Sequence, residues 1–270
     1  MALPLPRSLS PSKVGAFTTC PLAFRFATID RLPEPPTRPA VLGTLVHRTL
    51  EGLLWNHPSG HRSVDVADAE LDDAFTELAA DAELLALALD RDGVDALRNE
   101  ARMLVANYFT LEDPNSIADV AIEMTLEAVV DGVRLRGILD RLDIGPTGEL
   151  SIVDYKTGKV PSDSAVSGRL AGVQFYAMLC QHVLHLRPAR VRLLYLRGPT
   201  VIEAVPTDQE LTGVTRRTGA VWAAIERACE HDDFRPRPSA LCSWCSFRPL
   251  CPAHGGDPRP ARPPVDVPGG

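Results

Sequence analysis

The spacing of apolar residues changes along this chain from a helical period to a strand period. In the first third, apolar residues recur every three or four positions, as at Leu42, Leu45 and Leu53, which is typical of amphipathic helices. Apolar and polar residues then alternate around the turn Asp131-Gly132, which predicts a meander of three strands. The pattern predicts helices near residues 10–22, 41–55, 66–89, 94–111, 170–184 and 209–231, and strands near 120–126, 133–139, 150–153, 191–196 and 200–205. This succession predicts an α/β core with a central mixed sheet flanked by helices.

Length and composition indicate one well-packed domain. With 270 residues, 45% of them hydrophobic, the chain can bury a full core. We predict a single domain over residues 1–254 with a helical insertion at about 56–112, and a disordered tail at 255–270, where Pro and Gly dominate. No run approaches about eighteen uncharged apolar residues, and the first residues lack a signal-peptide pattern. A cytoplasmic protein without a membrane partner is therefore expected.

The charge of the chain is unevenly distributed. Its formal net charge of −7 speaks against a nucleic-acid partner, because Lys and Arg contacts to phosphate supply most non-specific affinity. However, from Val64 to Glu100 twelve acidic residues stand against two arginines, which leaves the rest of the chain at +3. An acidic helical insertion thus masks a mildly basic body, and a DNA-binding groove is compatible with the composition.

Two carboxylates and a lysine follow the predicted strands. Asp140 closes the second strand, Asp154 closes the third, and Lys156 follows two residues later, on the same face because strand side chains alternate. Carboxylate oxygens bind Mg²⁺ or Mn²⁺, and such an ion lowers the pKa of a bound water and neutralises charge on a phosphate. A nearby ammonium positions the water or stabilises the oxyanion. An Asp-x-Lys triplet is common, but in this strand context it predicts phosphodiester hydrolysis.

Four of the six cysteines have the spacing of metal ligands. Three lie close together as Cys242-x2-Cys245-x5-Cys251, and Cys20 near the other end supplies the fourth thiolate. Zinc and a 4Fe-4S cluster both fit four cysteines, and spacing slightly favours zinc. The other two cysteines are predicted to be buried in the core. Trp244, between the ligands, is interpreted as a shield of this centre, and the alternative is that it stacks on a base.

Three segments of the chain resemble motifs of the PD-(D/E)XK nucleases, in particular the RecB-type exonucleases. They are Gly43-Thr-Leu-Val-His47, Gly137-Ile-Leu-Asp140-Arg141 and Ile152-Val-Asp154-Tyr-Lys156-Thr-Gly158. The resemblance implies a restriction-endonuclease-like fold. It also implies that the ion is held by His47, Asp140, Asp154 and the backbone carbonyl of Tyr155, and that Lys156 is the catalytic ammonium. An imidazole among oxygen ligands favours Mn²⁺ over Mg²⁺.

The helix after this core departs from the family pattern. Members of the family carry a Gln and a Tyr four residues apart near the DNA, whereas here Gln174 and Tyr176 are two apart and point to opposite faces of a helix. We expect one of the two to line the catalytic site. Glu123, on the first predicted strand, is interpreted as an exposed strand residue, and the alternative is a carboxylate that supports the metal ligands from behind.

The resemblance also changes which metal centre the four cysteines are expected to bind. RecB-type nucleases of the AddB and CRISPR-adaptation kinds bind a 4Fe-4S cluster through one upstream and three C-terminal cysteines. The flanks Thr19-Cys20-Pro21 and Cys251-Pro252 are similar to theirs. This similarity implies an iron-sulfur cluster that joins the N- and C-termini through the segment 234–254.

These expectations converge on a metal-dependent DNA nuclease. We expect an exonuclease that acts on single-stranded DNA or DNA ends in repair or recombination, because the sequence shows no recognition helix or specificity module. One alternative is a CRISPR-adaptation enzyme that trims DNA and binds an integrase. Another, of a different class, is an iron-sulfur DNA-binding or assembly subunit with little activity that works beside a helicase.

Overall fold

A computed structural model of the protein describes residues 2–117 and 119–258. Its first half is mainly helical. The helices are α1 (Pro11–Thr19), α2 (Pro21–Phe24), α3 (Arg38–Asn56), α4 (Val64–Leu78), α5 (Ala82–Ala86) and α6 (Arg91–Leu111), with a π-helical turn at Arg25–Ile29 and a 3₁₀ turn at Pro114–Ser116. The predicted helix at 66–89 is thus divided into α4 and α5.

The second half contains the strands. They are β1 (Asp119–Val130), β2 (Val133–Ile144), β3 (Leu150–Lys156), β4 (Arg190–Tyr195) and β5 (Thr200–Ala204), with α7 (Asp163–Val183) before β4 and α8 (Asp208–His231) after β5. Short 3₁₀ helices follow at Ala240–Trp244, Arg248–Leu250 and Pro252–His254. The predicted strands are present, but β2 continues to Ile144, so Asp140 lies inside this strand and not at its end.

The described strands form one mixed sheet in the order β1-β2-β3-β4-β5. β2 and β3 are antiparallel, with Arg141 opposite Val153, whereas β3 and β4 are parallel, with Asp154 opposite Leu193. β4 and β5 are again antiparallel. A parallel pair needs a crossover connection, and α7 provides it between β3 and β4. The expected α/β fold with a mixed sheet flanked by helices is confirmed.

Local sequence explains the hairpin at the start of the sheet. Asp131 and Gly132, between β1 and β2, both have positive φ, 49° and 81°, as a type I′ turn requires. Along β2, buried and exposed residues alternate from Val133 to Leu139, so the strand buries one face. The alternation ends at Arg141, which is buried although it is charged.

The helical insertion packs on the sheet through a continuous apolar core. The N-caps Ser63 and Asp90 accept hydrogen bonds from the backbone at the starts of α4 and α6. Buried residues of α3, α4 and α6 form one cluster with residues of β3 and of the β4 end, namely Val153, Tyr155, Leu194 and Leu196. Burial of this apolar surface, about 25 cal/mol per Å², holds the helices against the catalytic strands.

The chain divides into two compact units. Unit 1 comprises residues 1–35, 128–136 and 215–270, and unit 2 comprises residues 36–127 and 137–214. In unit 1, Leu9 forms a parallel bridge with Leu135. A single nuclease domain over 1–254 stays a prediction. Within the described ranges no helix is long and apolar enough to cross a membrane. From residue 259 onward, the predicted tail lies outside the described residues.

Candidate metal centre

The backbone of Tyr155 in β3 joins two of the predicted metal ligands. Its N–H donates to Oδ2 of Asp140 on β2 at 2.8 Å. Its carbonyl oxygen lies 3.1 Å from Nε2 of His47 on α3, and Nδ1 of His47 lies 3.6 Å from the same Asp140 oxygen. One helix and two strands therefore bring an imidazole, a carboxylate and a carbonyl oxygen to one point.

Glu123 of β1 adds a further carboxylate to this point. A carboxylate oxygen of Glu123, a ring nitrogen of His47 and a carboxylate oxygen of Asp140 all lie within 4.8 Å of one another. Burial, followed by the charges of Asp140 and Glu51, raises the pKa of Glu123. Its φ is +47°, a conformation that non-glycine residues rarely adopt and that is often associated with function. The residue is exposed, as predicted, but the sequence did not place it among the ligand atoms themselves, because nothing in the sequence reveals this backbone angle.

Asp154 and Lys156 form an ion pair beside these groups. Asp154 is only 8% exposed, and its Oδ2 contacts Nζ of Lys156. Burial, together with the nearby charge of Asp140, raises the pKa of Asp154 to about 6 although Lys156 opposes this shift. The carboxylates of Asp140 and Asp154 are thus electrostatically coupled. Ligation of an ion by Asp154 itself stays a prediction.

The two candidate residues on α7 lie in different surroundings. Burial and the charges of Asp154 and Asp140 raise the pKa of Tyr176, so its phenol stays neutral beside the carboxylates. Gln174 instead hydrogen-bonds Glu210. Gly137 of β2 packs against Tyr176, and a Cβ at that glycine would lie 2.6 Å from a ring carbon. The structure brings Tyr176, and not Gln174, to the carboxylates.

A buried ionic network anchors the side chain of Tyr155. Arg141 is fully buried, and its guanidinium donates to the Tyr155 phenol oxygen at 2.8 Å, to Asp143 at 3.0 Å and to Glu112 at 3.1 Å. Arg192 donates to the same Glu112 carboxylate at 2.8 Å. A buried charge is tolerated only when it is paired and hydrogen-bonded in this way. Sequence reasoning quoted Arg141 within a motif but assigned it no role.

In unit 1, the four predicted cysteine ligands line one cavity of about 280 Å³. Cys20 lies in extended backbone between α1 and α2, and its sulfur accepts a hydrogen bond from the N–H of Arg237 at 3.4 Å. The sulfur of Cys242 accepts one from the N–H of Ser239 at 3.3 Å. Burial and the neighbouring thiols raise the pKa of Cys245. All six cysteines are free thiols, and the other two are buried in the core as predicted.

The cysteine sulfurs do not form a compact group of ligand atoms in the described part of the structure. Among the described residues, the group of potential ligands whose atoms all lie within 4.8 Å of one another is His47, Glu123 and Asp140, so no three cysteine sulfurs approach this closely. Trp244, in the same segment, is 87% exposed and lines the cavity, and its role as a shield stays a prediction.

Fold and site together define a class of protein. A mixed sheet with carboxylates on neighbouring strands, and a lysine two residues after the second, is consistent with the restriction-endonuclease-like core of metal-dependent nucleases. Residues 8–252 match the family model of the PD-(D/E)XK nuclease superfamily. The chain belongs to that superfamily.

Two phage proteins and a crystal structure are similar to this chain. The Gene 69 protein of Mycobacterium phage L5 is 30% identical over 135 residues, which are 49% of this chain and 44% of that protein. The Gene 69 protein of Mycobacterium phage D29 is 25% identical over 264 residues, which are 90% and 96% of the two chains. A candidate exonuclease of Eubacterium rectale, 12% identical, superposes with a TM-score of 0.56 over 88% of this chain and 86% of its own. This last likeness shows the fold alone.

Proposed function

We propose that this protein is a DNA nuclease that hydrolyses phosphodiester bonds with the help of a divalent cation. The observation that carries the proposal is the double contact of the Tyr155 backbone with His47 and Asp140. This contact assembles ligands from three elements beside the Asp154–Lys156 pair. Membership of a nuclease superfamily supports the same reaction.

The donor set fits a hard divalent ion. Carboxylate and carbonyl oxygens are the ligands preferred by Mg²⁺ and Mn²⁺, and the imidazole of His47 favours Mn²⁺. We infer that His47, Asp140, Glu123 and the Tyr155 carbonyl hold the ion, with Asp154 as a further ligand. When bound, such an ion lowers the pKa of a coordinated water and neutralises charge on the phosphate.

Two other side chains act on the substrate in this proposal. The ammonium of Lys156 is 36% exposed, so it can reach the attacking water or a phosphate oxygen. The neutral phenol of Tyr176 is a hydrogen-bond donor to the same phosphate, because its raised pKa keeps the proton on the oxygen. Both donors stabilise the negative charge that develops in the transition state.

The substrate we propose is single-stranded DNA or a DNA end. The resemblance of the motifs to RecB-type exonucleases and the name of the Eubacterium rectale protein favour digestion from ends, in repair or recombination. A helicase or an integrase as partner stays a prediction, as does a cytoplasmic location.

We also propose that Cys20, Cys242, Cys245 and Cys251 bind a 4Fe-4S cluster that stabilises unit 1. The cavity they share and the backbone N–H groups directed at two of the sulfurs support it. Anaerobic purification followed by visible absorption and iron analysis tests this assignment. A colourless protein that contains zinc would overturn it.

Digestion of labelled DNA tests the nuclease proposal. Linear single strands, duplexes and circular single strands are incubated with Mn²⁺ or with EDTA. We expect Mn²⁺-dependent loss of the linear single strands while the circles persist. Lys156→Ala should lower the rate by about 10²- to 10³-fold. Lys159→Ala is the matched control, because Lys159 is exposed on the same segment. Equal cleavage by Lys156→Ala and wild type would refute the catalytic assignment.

A further inference from the structure

Two large apolar side chains project from the short 3₁₀ helix Ala240–Trp244 in the cysteine segment. Trp244 is 87% exposed and Leu241 is 59% exposed, and both line the rim of the apolar cavity that contains the four cysteines. Isolated apolar residues on a surface are ordinary. A tryptophan and a leucine three residues apart in a 3₁₀ helix lie on one side of it, and here both line an apolar cavity, so they offer an apolar surface to which a planar ring can bind.

Positive charge surrounds this surface. Arg237 and Arg248 line the same cavity. Unit 1, to which they belong, has fourteen Lys and Arg residues against nine Asp and Glu, although the whole chain has a net charge of −7. The acidic residues are therefore concentrated in unit 2. A cationic rim around an aromatic face complements a polyanion that carries planar rings.

The backbone under the surface is held in place. Ser239 caps the 3₁₀ helix, because its Oγ accepts from the N–H of Leu241 at 3.2 Å and its own N–H donates to Cys242. The guanidinium of Arg237 contacts the backbone carbonyl of Thr18. Trp244 is consequently presented to solvent from an ordered segment, so little conformational entropy is lost when a ligand stacks on it.

We propose that Leu241 and Trp244 form a stacking platform for a base of single-stranded nucleic acid, with Arg237 and Arg248 binding the adjacent phosphates. This inference depends on the proposed function in one respect, namely that the bound strand is the substrate of the enzyme. Stacking of a base on an aromatic side chain contributes about 1–3 kcal/mol. The platform therefore adds affinity without sequence preference.

Binding without cleavage tests this proposal. The anisotropy of a labelled oligothymidylate and of an abasic strand of the same length is measured in EDTA, with the cysteine centre intact. We expect wild type to bind the thymidylate about tenfold more tightly than the abasic strand. Trp244→Ala should lose this difference, and Trp244→Phe should keep most of it. Trp55→Ala is the matched control, because Trp55 is also 74% exposed.

Two outcomes would overturn the platform. One is equal binding of the thymidylate and the abasic strand by wild type, a result that does not depend on the folding of any variant. The other is a Trp244→Ala variant that still binds the thymidylate more tightly than the abasic strand. That result would favour a protein as the partner of the exposed surface. Because EDTA prevents metal-dependent cleavage, failure of the nuclease proposal would appear in the digestion assay and leave this measurement unaffected.

Discussion

Arg141 donates a hydrogen bond from Nη1 to the phenol oxygen of Tyr155 at 2.8 Å, and both side chains are buried. The backbone of the same tyrosine contacts Asp140 and His47. The side chain of Tyr155 is thus fixed by an ionic network on one side, while its backbone contacts two proposed metal ligands on the other. If these residues hold an ion as proposed, Arg141 is a positioning residue for that site.

Substitution of Arg141 tests this coupling. Arg141→Ala should lower the free energy of unfolding by about 3–5 kcal/mol, because Glu112 and Asp143 would lose a buried partner. Tyr155→Phe removes only the phenol and should cost about 1–3 kcal/mol. Urea titration measures both, and Mn²⁺ titration should show weaker binding in Tyr155→Phe. Arg134→Ala, at an exposed position of the same strand, should change neither quantity.

Glu123 is the proposed metal ligand that lies outside the sequence motifs. Glu123→Gln should weaken Mn²⁺ binding about tenfold, since an amide replaces a charged oxygen near His47 and Asp140. Glu127→Gln, at an exposed position of the same strand, is the control. Calorimetric titration of the metal-free proteins measures the affinities. If Glu123→Gln bound Mn²⁺ as tightly as wild type, Glu123 would not be a ligand.

Asp154 makes the stability of the metal-free protein depend on pH. Its pKa is raised from the ordinary 3.8 to about 6, so the folded state holds this proton more tightly than the unfolded chain does. The contribution of Asp154 to the free energy of unfolding should therefore fall as pH rises from about 4 to about 6, by up to about 3 kcal/mol.

Comparison with Asp154→Asn isolates this contribution. Without added metal, the variant should be more stable than wild type at pH 8, and this advantage should vanish near pH 4. Metal binding requires a deprotonated carboxylate, so Mn²⁺ affinity of wild type should rise through pH 6. Parallel denaturation curves for the two proteins, with no change in their difference between pH 4 and 8, would contradict the raised pKa.

Cys20 is expected to be indispensable for the cysteine centre. Cys20→Ala should remove most of the bound iron and lower the melting temperature, because the proposed cluster would join α1 and α2 to the last described segment of unit 1. Cys180→Ala, which alters a buried core thiol in unit 2, should keep its iron. Iron content and visible absorption of the two variants provide the measurement. A full complement of iron in Cys20→Ala would exclude this ligand.

Much of the fold was predictable because local patterns encode it. The period-two alternation of β2 and the turn at Asp131-Gly132 predicted the hairpin, and the helical stripe predicted α3 with His47 on it. The pairing of Arg141 with Val153 lies beyond the predicted end of β2 and did not follow from the sequence. The break between α4 and α5 and the extension of β2 to Ile144 were missed, because element ends depend on packing more than on propensity.

The sequence by itself determined which groups are available for chemistry: an imidazole, carboxylates on neighbouring strands, a lysine two residues after the second carboxylate, and four cysteines grouped for one centre. Tertiary structure decided which of these groups meet. His47 and Tyr155 are 108 residues apart in the chain, and the positive φ of Glu123 and the choice of Tyr176 over Gln174 have no local signal. The spacing of residues along the sequence specifies on which face of one helix or strand a side chain lies. The distances between side chains of different helices and strands depend on how the buried side chains pack.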